Sequence, residues 1–243
     1  MYDPQDVIAR INDPYVPLLV FTAIAWATGF VQIIQGFRCG LRDRVPAAPI
    51  GMTAFLLAHD GSFALRFDYW LNDVGTWYFT LFWVGMVVSV GIELAMVWQF
   101  LTFGQPLVAP HLPRWAFVGS YALLQAFAFA GLWWVQSMLD DPLYLVSLVG
   151  TQMVAVVFLV PWILQRRSSA GQSRAFAWAT VLGPGGFALG LFPALSPELF
   201  DDPRYWTLVA SLVTMSFAYL LLLEHHLRLD RNAGRQVTTT LPR

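Results

Sequence analysis

Leu56-Leu57-Ala58-His59-Asp60-Gly61-Ser62-Phe63-Ala64-Leu65 sets a carboxylic acid in the middle of an apolar run. Burying an ionisable side chain at bilayer depth is costly unless something uses or satisfies it, so Asp60 marks a functional position. The run around it has about the 20 residues needed to cross the hydrocarbon of a bilayer. Six further runs of that kind are marked off by charged connectors. The seven cover residues 15–36, 49–67, 77–103, 115–139, 143–164, 174–195 and 205–227. Gly183-Pro184-Gly185-Gly186 interrupts the sixth and predicts a kinked or re-entrant helix there. The fold class expected is all-α: a polytopic membrane protein, a seven-transmembrane helical bundle. It forms one domain over residues 1–229, followed by a polar, mobile cytoplasmic tail at 230–243.

Composition agrees with a lipid-facing chain. Of 243 residues 57% are hydrophobic and 12% charged, with a mean hydropathy of +0.57; soluble domains carry about 25% charged residues. The net charge of -1 comes without a basic patch, which excludes a nucleic-acid partner. Cys39 is the single cysteine, so neither a disulfide framework nor a thiolate metal cluster is expected. His59, His111, His225 and His226 form no H-E-x-x-H site, and no metal or other cofactor is expected. All fourteen basic residues are arginine. Without lysine there is no Schiff base, which removes a retinal-binding rhodopsin from consideration. Asp3 and Asp6 ahead of Arg10 lack the basic start of a cleaved signal peptide.

The connectors alternate in charge. Arg38, Arg42 and Arg44, then Arg114, then Arg166, Arg167 and Arg174, and finally Arg228, Arg231, Arg235 and Arg243 fall on one side. Asp68 and Asp73, Asp140 and Asp141, and Glu198, Asp201 and Asp202 fall on the other. Basic residues gather on the cytoplasmic side, which predicts the N-terminus outside and the C-terminus cytoplasmic. Asp-Asp-Pro occurs at Asp140 and again at Asp201, and reads as turn chemistry.

Depth follows from counting along each helix. Asp60 lies eleven residues beyond Pro49 and Glu93 ten before Phe103, which puts both about 15–16 Å deep, near the midplane. Trp26, Gln125, the Gly-Pro-Gly-Gly break, Ser216 and Tyr219 come to nearly the same level. No arginine reaches it. His59 is the single base there, and the helical step of about 100° turns it away from Asp60. Two desolvated carboxyls without a cation are expected to hold at least one proton at neutral pH. Such an acid in a dry cavity can serve as a general acid. Phe63 and Phe67 share the Asp60 side of their helix, and Met86 lies two turns from Glu93. Aromatic faces stabilise cations, although Met and Phe at this spacing also serve plain packing. Gln125 reads as helix–helix glue as well as lining.

Asp60, Glu93 and Tyr219 resemble motif positions of the small integral-membrane terpene cyclases of fungal meroterpenoid and actinobacterial indole sesquiterpenoid biosynthesis. The resemblance extends over nearly the whole chain in size, segment number and orientation. Asp60 falls where that family's second-helix acid, usually glutamate after tryptophan, donates a proton. Glu93, eleven residues before Gly104 in Leu101-Thr102-Phe103-Gly104, resembles its third-helix aspartate, which precedes a lysine-aromatic-glycine ending. Tyr219 resembles a tyrosine that follows an acid by three residues on the last helix. Here Ser216 stands where that acid would be, His59 replaces the tryptophan and Leu56 an asparagine. The missing acid leaves Glu93 as the partner for Asp60. The all-arginine basic set fits a high-GC bacterial gene and the bacterial cytoplasmic membrane.

The resemblance implies a membrane-embedded, protonation-initiated cyclase acting on a farnesyl-type chain attached to an aromatic group or indole. Asp60 and Glu93 would be catalytic, and Trp26, Phe63, Phe67, Met86, Gln125, Ser216 and Tyr219 would line the substrate. Its partners would be that prenylated substrate and the lipid bilayer, with no obligate protein partner. Diphosphate ionisation is disfavoured: Asp140-Asp141 and Asp201-Asp202 lack the third acid of a D-D-x-x-D site, and there is no N-x-x-x-D or D-x-D-D motif. A proton-coupled small-molecule transporter or a seven-helix sensor could use the same buried carboxyls, and stays open as the alternative. A haem carrier would need facing histidines, and only His59 lies at depth.

Overall fold

In hydrocarbon every backbone N–H and C=O must be paired inside its own segment, which makes the helix the simplest way across. The computed structural model is all-helical, with no strand among its described residues, 2–13 and 16–232. Six helical stretches are long and apolar enough to cross a membrane. They are α2 (Val16–Asp43), α4 (Trp77–Phe103), α6 (Arg114–Leu139), the pair α7 (Leu145–Val157) and α8 (Leu159–Arg166), the path that begins with α9 (Arg174–Gly185), and α12 (Pro203–Asn232). Between α2 and α4 runs α3 (Ile50–Leu65), apolar but of 16 residues. At about 1.5 Å per residue it covers about 24 Å, short of a full crossing. Short helices α1 (Pro4–Asn12), α5 (Gln105–Val108), α10 (Phe192–Leu195) and α11 (Pro197–Phe200) cap the ends.

Where the helices start and stop follows from local chemistry. The first span was expected to end near Gly36, yet α2 continues to Asp43, so Arg38 and Arg42 are helical. It ends where Arg44 turns left-handed, with a φ of 52°, and Gly36 serves contact instead: a Cβ there would lie 3.1 Å from the Phe176 ring of α9. The fifth span divides at Phe158 because Pro161 cannot donate to the Val157 carbonyl. At Gly183-Pro184-Gly185-Gly186 the chain stays helical and widens into a π-helical turn over Gly186–Leu191. The α12 helix runs through Asp230, which accepts from Ser169 N at 3.1 Å and Ser169 Oγ at 2.6 Å. The remainder of the expected tail lies outside the described residues.

The two ends of the bundle differ in how charge is held. At the arginine-rich end, fully buried Asp43 accepts from Arg42 Nε at 2.6 Å and from Gly171 N at 2.6 Å. Arg166 donates to the carbonyls of Pro46 and Ala170 and, with Leu107, Val108 and Trp162, lines a hollow of about 320 Å³. At the acidic end, the second Asp-Asp-Pro motif begins α12 at Pro203, whereas the first forms the turn that leads into α7 at Leu145. Asp202 accepts from Arg204 N at 2.7 Å, and the Arg204 guanidinium holds its carboxyl down at about 2. Asp141 accepts from Ser147 N and Tyr2 Oη, both at 2.8 Å, tying the start of α7 to the segment before α1.

Burial and the Asp141 carboxylate push the Tyr2 phenol well above its usual range. A folded-state value above the unfolded one of about 10 means the contribution is complete below that pH and is lost as pH rises past it. Tyr2→Phe is expected to cost about 1.5–3 kcal/mol, measured as a lower unfolding temperature in detergent at pH 7. The gap between variant and wild type should narrow in strong alkali.

Three apolar clusters fill the interior, the smallest of them Leu57, Val97, Phe100, Phe117 and Tyr121 between α3, α4 and α6; the two larger ones divide the bundle along its length. One, built on Phe63, Trp70, Phe82, Met86, Tyr144 and Phe192, lies towards the acidic loops. The other, built on Met52, Met96, Phe176, Tyr219 and Leu223, lies towards the arginines. On α3 and α4 the boundary between them falls at Asp60 and Glu93.

Candidate active site

Asp60 on α3 and Glu93 on α4 line one cavity of about 100 Å³. The α3 and α4 helices pack along each other, which sets the two carboxyls close enough to act on one another. Both are buried, at 9% and 4% exposure. Glu93 Oε2 has no hydrogen-bond partner. Helices α2, α7 and α9 complete the walls: Trp26, Phe30 and Gln32 come from α2, Thr151 and Gln152 from α7, and Gly183 from α9. No arginine is among the lining residues. Among the described residues, no three His, Cys, Asp or Glu side chains converge as metal ligands.

His59 is the principal correction to the sequence-based expectation. Its Nδ1 lies 2.8 Å from Asp60 Oδ1, inside the protein, so Asp60 does have a basic partner on its own helix. The 100° step separates Cβ directions, but both side chains are long enough to turn toward each other when neither has water to reach. The ring is fully buried, stands edge-on to Tyr144 with centroids 5.7 Å apart, and leaves Nε2 without a partner. It belongs to the wall of a separate apolar hollow of about 10 Å³, shared with Phe63, Phe82 and Tyr144.

The other candidate residues divide. Trp26 and Met86 line the acid cavity with Asp60 and Glu93. Phe63 stands one layer outward, stacked on Trp70 at 4.0 Å. Phe67 lies beyond the end of α3 and is 56% exposed. Gln125 donates to the Ala54 carbonyl at 2.9 Å and accepts from Tyr121 Oη at 2.7 Å, tying α6 to α3. Ser216 Oγ donates back to the Leu212 carbonyl at 2.8 Å, and Tyr219 packs against Phe176. Neither α6 nor α12 contributes to the lining. The cavity adds residues beyond those the sequence points to, chiefly Gln32, Thr151 and Gln152. Each is a polar residue inside an apolar run, the same signal that pointed to Asp60.

Trp26 forms the wall over α4. A Cβ at Gly85 would come within 2.0 Å of its ring, so the glycine is what lets the indole lie against the helix. Phe82 meets the same ring edge-on at 5.2 Å. Gly85→Ala is expected to push Trp26 aside and cost roughly 1–3 kcal/mol. Combined with Trp26→Ala, the loss in unfolding free energy should be clearly less than the sum of the two single losses.

Fold and site together define a multi-pass membrane protein that encloses two carboxylic acids and an imidazole between apolar layers. No family model, curated protein or solved structure matches the chain.

Proposed function

We propose that the chain is a protonation-initiated terpene cyclase of a bacterial cytoplasmic membrane. It would be a seven-helix bundle with α3 as its second segment, the N-terminus outside and the C-terminus cytoplasmic. The carrying observation is the cavity itself: Asp60 and Glu93 face an interior walled on one part by Trp26, Phe30, Met86 and Phe187 and on another by the uncharged Gln32, Thr151 and Gln152. In this reading protonated Asp60 donates to the terminal alkene or epoxide of a farnesyl-type chain borne by an indole or other aromatic group. The alkene's π pair forms the new C–H bond, or the epoxide's C–O bond opens after its oxygen is protonated. The carbocation then closes rings beside aromatic faces until a proton is lost, so product and substrate have equal mass. Glu93 holds the orientation of Asp60 or raises its acidity. Ligand pockets usually measure roughly 300–1,000 Å³, so a farnesyl chain has to displace a wall. Trp26, half-buried over Gly85, is the side chain placed to give way.

The test is to incubate membranes containing the protein with farnesylated indoles, their terminal epoxides and other prenylated aromatics. Products of unchanged mass and altered retention support a cyclase; none from any polyene or epoxide ends this reading. Cavity size favours a second one. A space of about 100 Å³ with Gln32, Thr151 and Gln152 beside the acids suits proton-coupled transport or sensing of a small molecule. Proton uptake into proteoliposomes driven by a small-solute gradient, without isomeric products, would decide for the transporter.

A further inference from the structure

We propose that His59 is a positioning residue that donates its Nδ1–H to Asp60 Oδ1 and thereby leaves the acid's own proton on Oδ2, facing the cavity. This rests on Asp60 being the proton donor. Three observations carry it. The Nδ1 to Oδ1 distance is 2.8 Å with both groups enclosed. The opposite ring nitrogen, Nε2, is buried without a partner. Asp60 lines the acid cavity, whereas His59 lines only the small hollow behind it.

The hydrogen-bond partners decide which ring nitrogen carries the proton. A proton on Nε2 would have no acceptor, because that nitrogen is buried without a partner. On Nδ1 it meets a carboxyl oxygen at hydrogen-bonding distance. Oδ1 is then committed as an acceptor, so Asp60 carries its proton on the other oxygen. When that O–H bond breaks and the substrate's electron pair takes the proton, the carboxylate left behind keeps the Nδ1–H bond. The donor is therefore worth more after transfer than before it, which is the condition for lowering a barrier. The imidazole itself neither gains nor loses a proton and touches no substrate. The edge-on ring of Tyr144 keeps the imidazole from turning away.

The experiment is nitrogen NMR on protein labelled with ¹⁵N-histidine in nanodiscs, with His111, His225 and His226 replaced by glutamine. The signals should report a proton on Nδ1 and a bare Nε2. A proton on Nε2 overturns the proposal, because Asp60 would then spend its own proton on His59. Infrared spectra supply a second readout, with the carboxylic C=O band of Asp60 identified by its loss in Asp60→Asn. That band should move to higher wavenumber in His59→Leu, which removes the donor, and stay in place in His59→Asn, whose amide N–H can replace it. Turnover of a farnesylated indole should fall between about 10- and 100-fold in His59→Leu, in kcat more than in KM, and largely recover in His59→Asn. An unmoved band or a wild-type rate in His59→Leu overturns the proposal. If no probe is turned over, the cyclase reading fails separately, while the tautomer and the wild-type band still decide the role of His59. Those two measurements also stand if His59→Leu does not insert.

Discussion

On the cyclase reading, Asp60→Asn is expected to abolish product formation while leaving membrane insertion and unfolding temperature near wild type. Asparagine keeps the size of the side chain, and its amide oxygen can still accept from His59 at the 2.8 Å contact. What it loses is the acidic proton. General acid catalysis by one positioned group is worth between about 10²- and 10⁴-fold, and in a cavity lined by no lysine, arginine or further acid besides Glu93 there is little to take over. The measurement is conversion of a farnesylated probe by purified protein in nanodiscs, with equal amounts of folded variant confirmed by size-exclusion chromatography. An active Asp60→Asn would remove Asp60 from the donor role. Wild-type folding with no turnover would tie the chemistry to that carboxyl.

How much of this was legible beforehand depends on which property of the chain each residue expresses. Apolar length and connector charge are carried by many residues at once, so the spans at α4, α6 and α12 are recovered almost to their ends. Single residues carry a weaker signal. Pro161, which divides the fifth span, and Asp3-Pro4, which cap and open α1, were both readable as helix signals yet were submerged in hydropathy. Counting residues from the loop ends fixes level along a helix, and at that resolution it puts Asp60 level with Glu93, the two acids that line one cavity. It does not fix which way a helix is turned. Ser216 and Tyr219 come to nearly the same counted level but belong to an α12 that packs on α9, α8 and α7 and contributes nothing to the lining. Trp26 and Met86 reach the cavity because α2 and α4 pack against one another around it. The His59 contact was out of reach for a different reason. Helical periodicity gives the direction of Cβ, whereas the bond to Asp60 is made by rotamers chosen in the absence of water.

Glu93→Gln is the companion experiment, and its two readouts should move in opposite directions. Glu93 Oε2 is buried without a partner, beside a second acid. A buried group in that state is a cost to the fold, because it has given up water without a replacement bond. An amide of the same shape carries no charge at any pH, so Glu93→Gln should be as stable as the wild type or more so, by up to about 1–3 kcal/mol. If Glu93 serves Asp60, turnover should nevertheless fall by roughly 10- to 100-fold. Gain of stability with loss of activity is the pattern expected of a residue retained for function. The double variant Asp60→Asn, Glu93→Gln separates cooperation from coincidence. Residues that act in one step are strongly non-additive, so the pair should be no slower than Asp60→Asn alone. Near-normal turnover in Glu93→Gln would reduce the site to Asp60 and the imidazole behind it. Losses that multiply would assign Glu93 to a separate step, such as removal of the final proton.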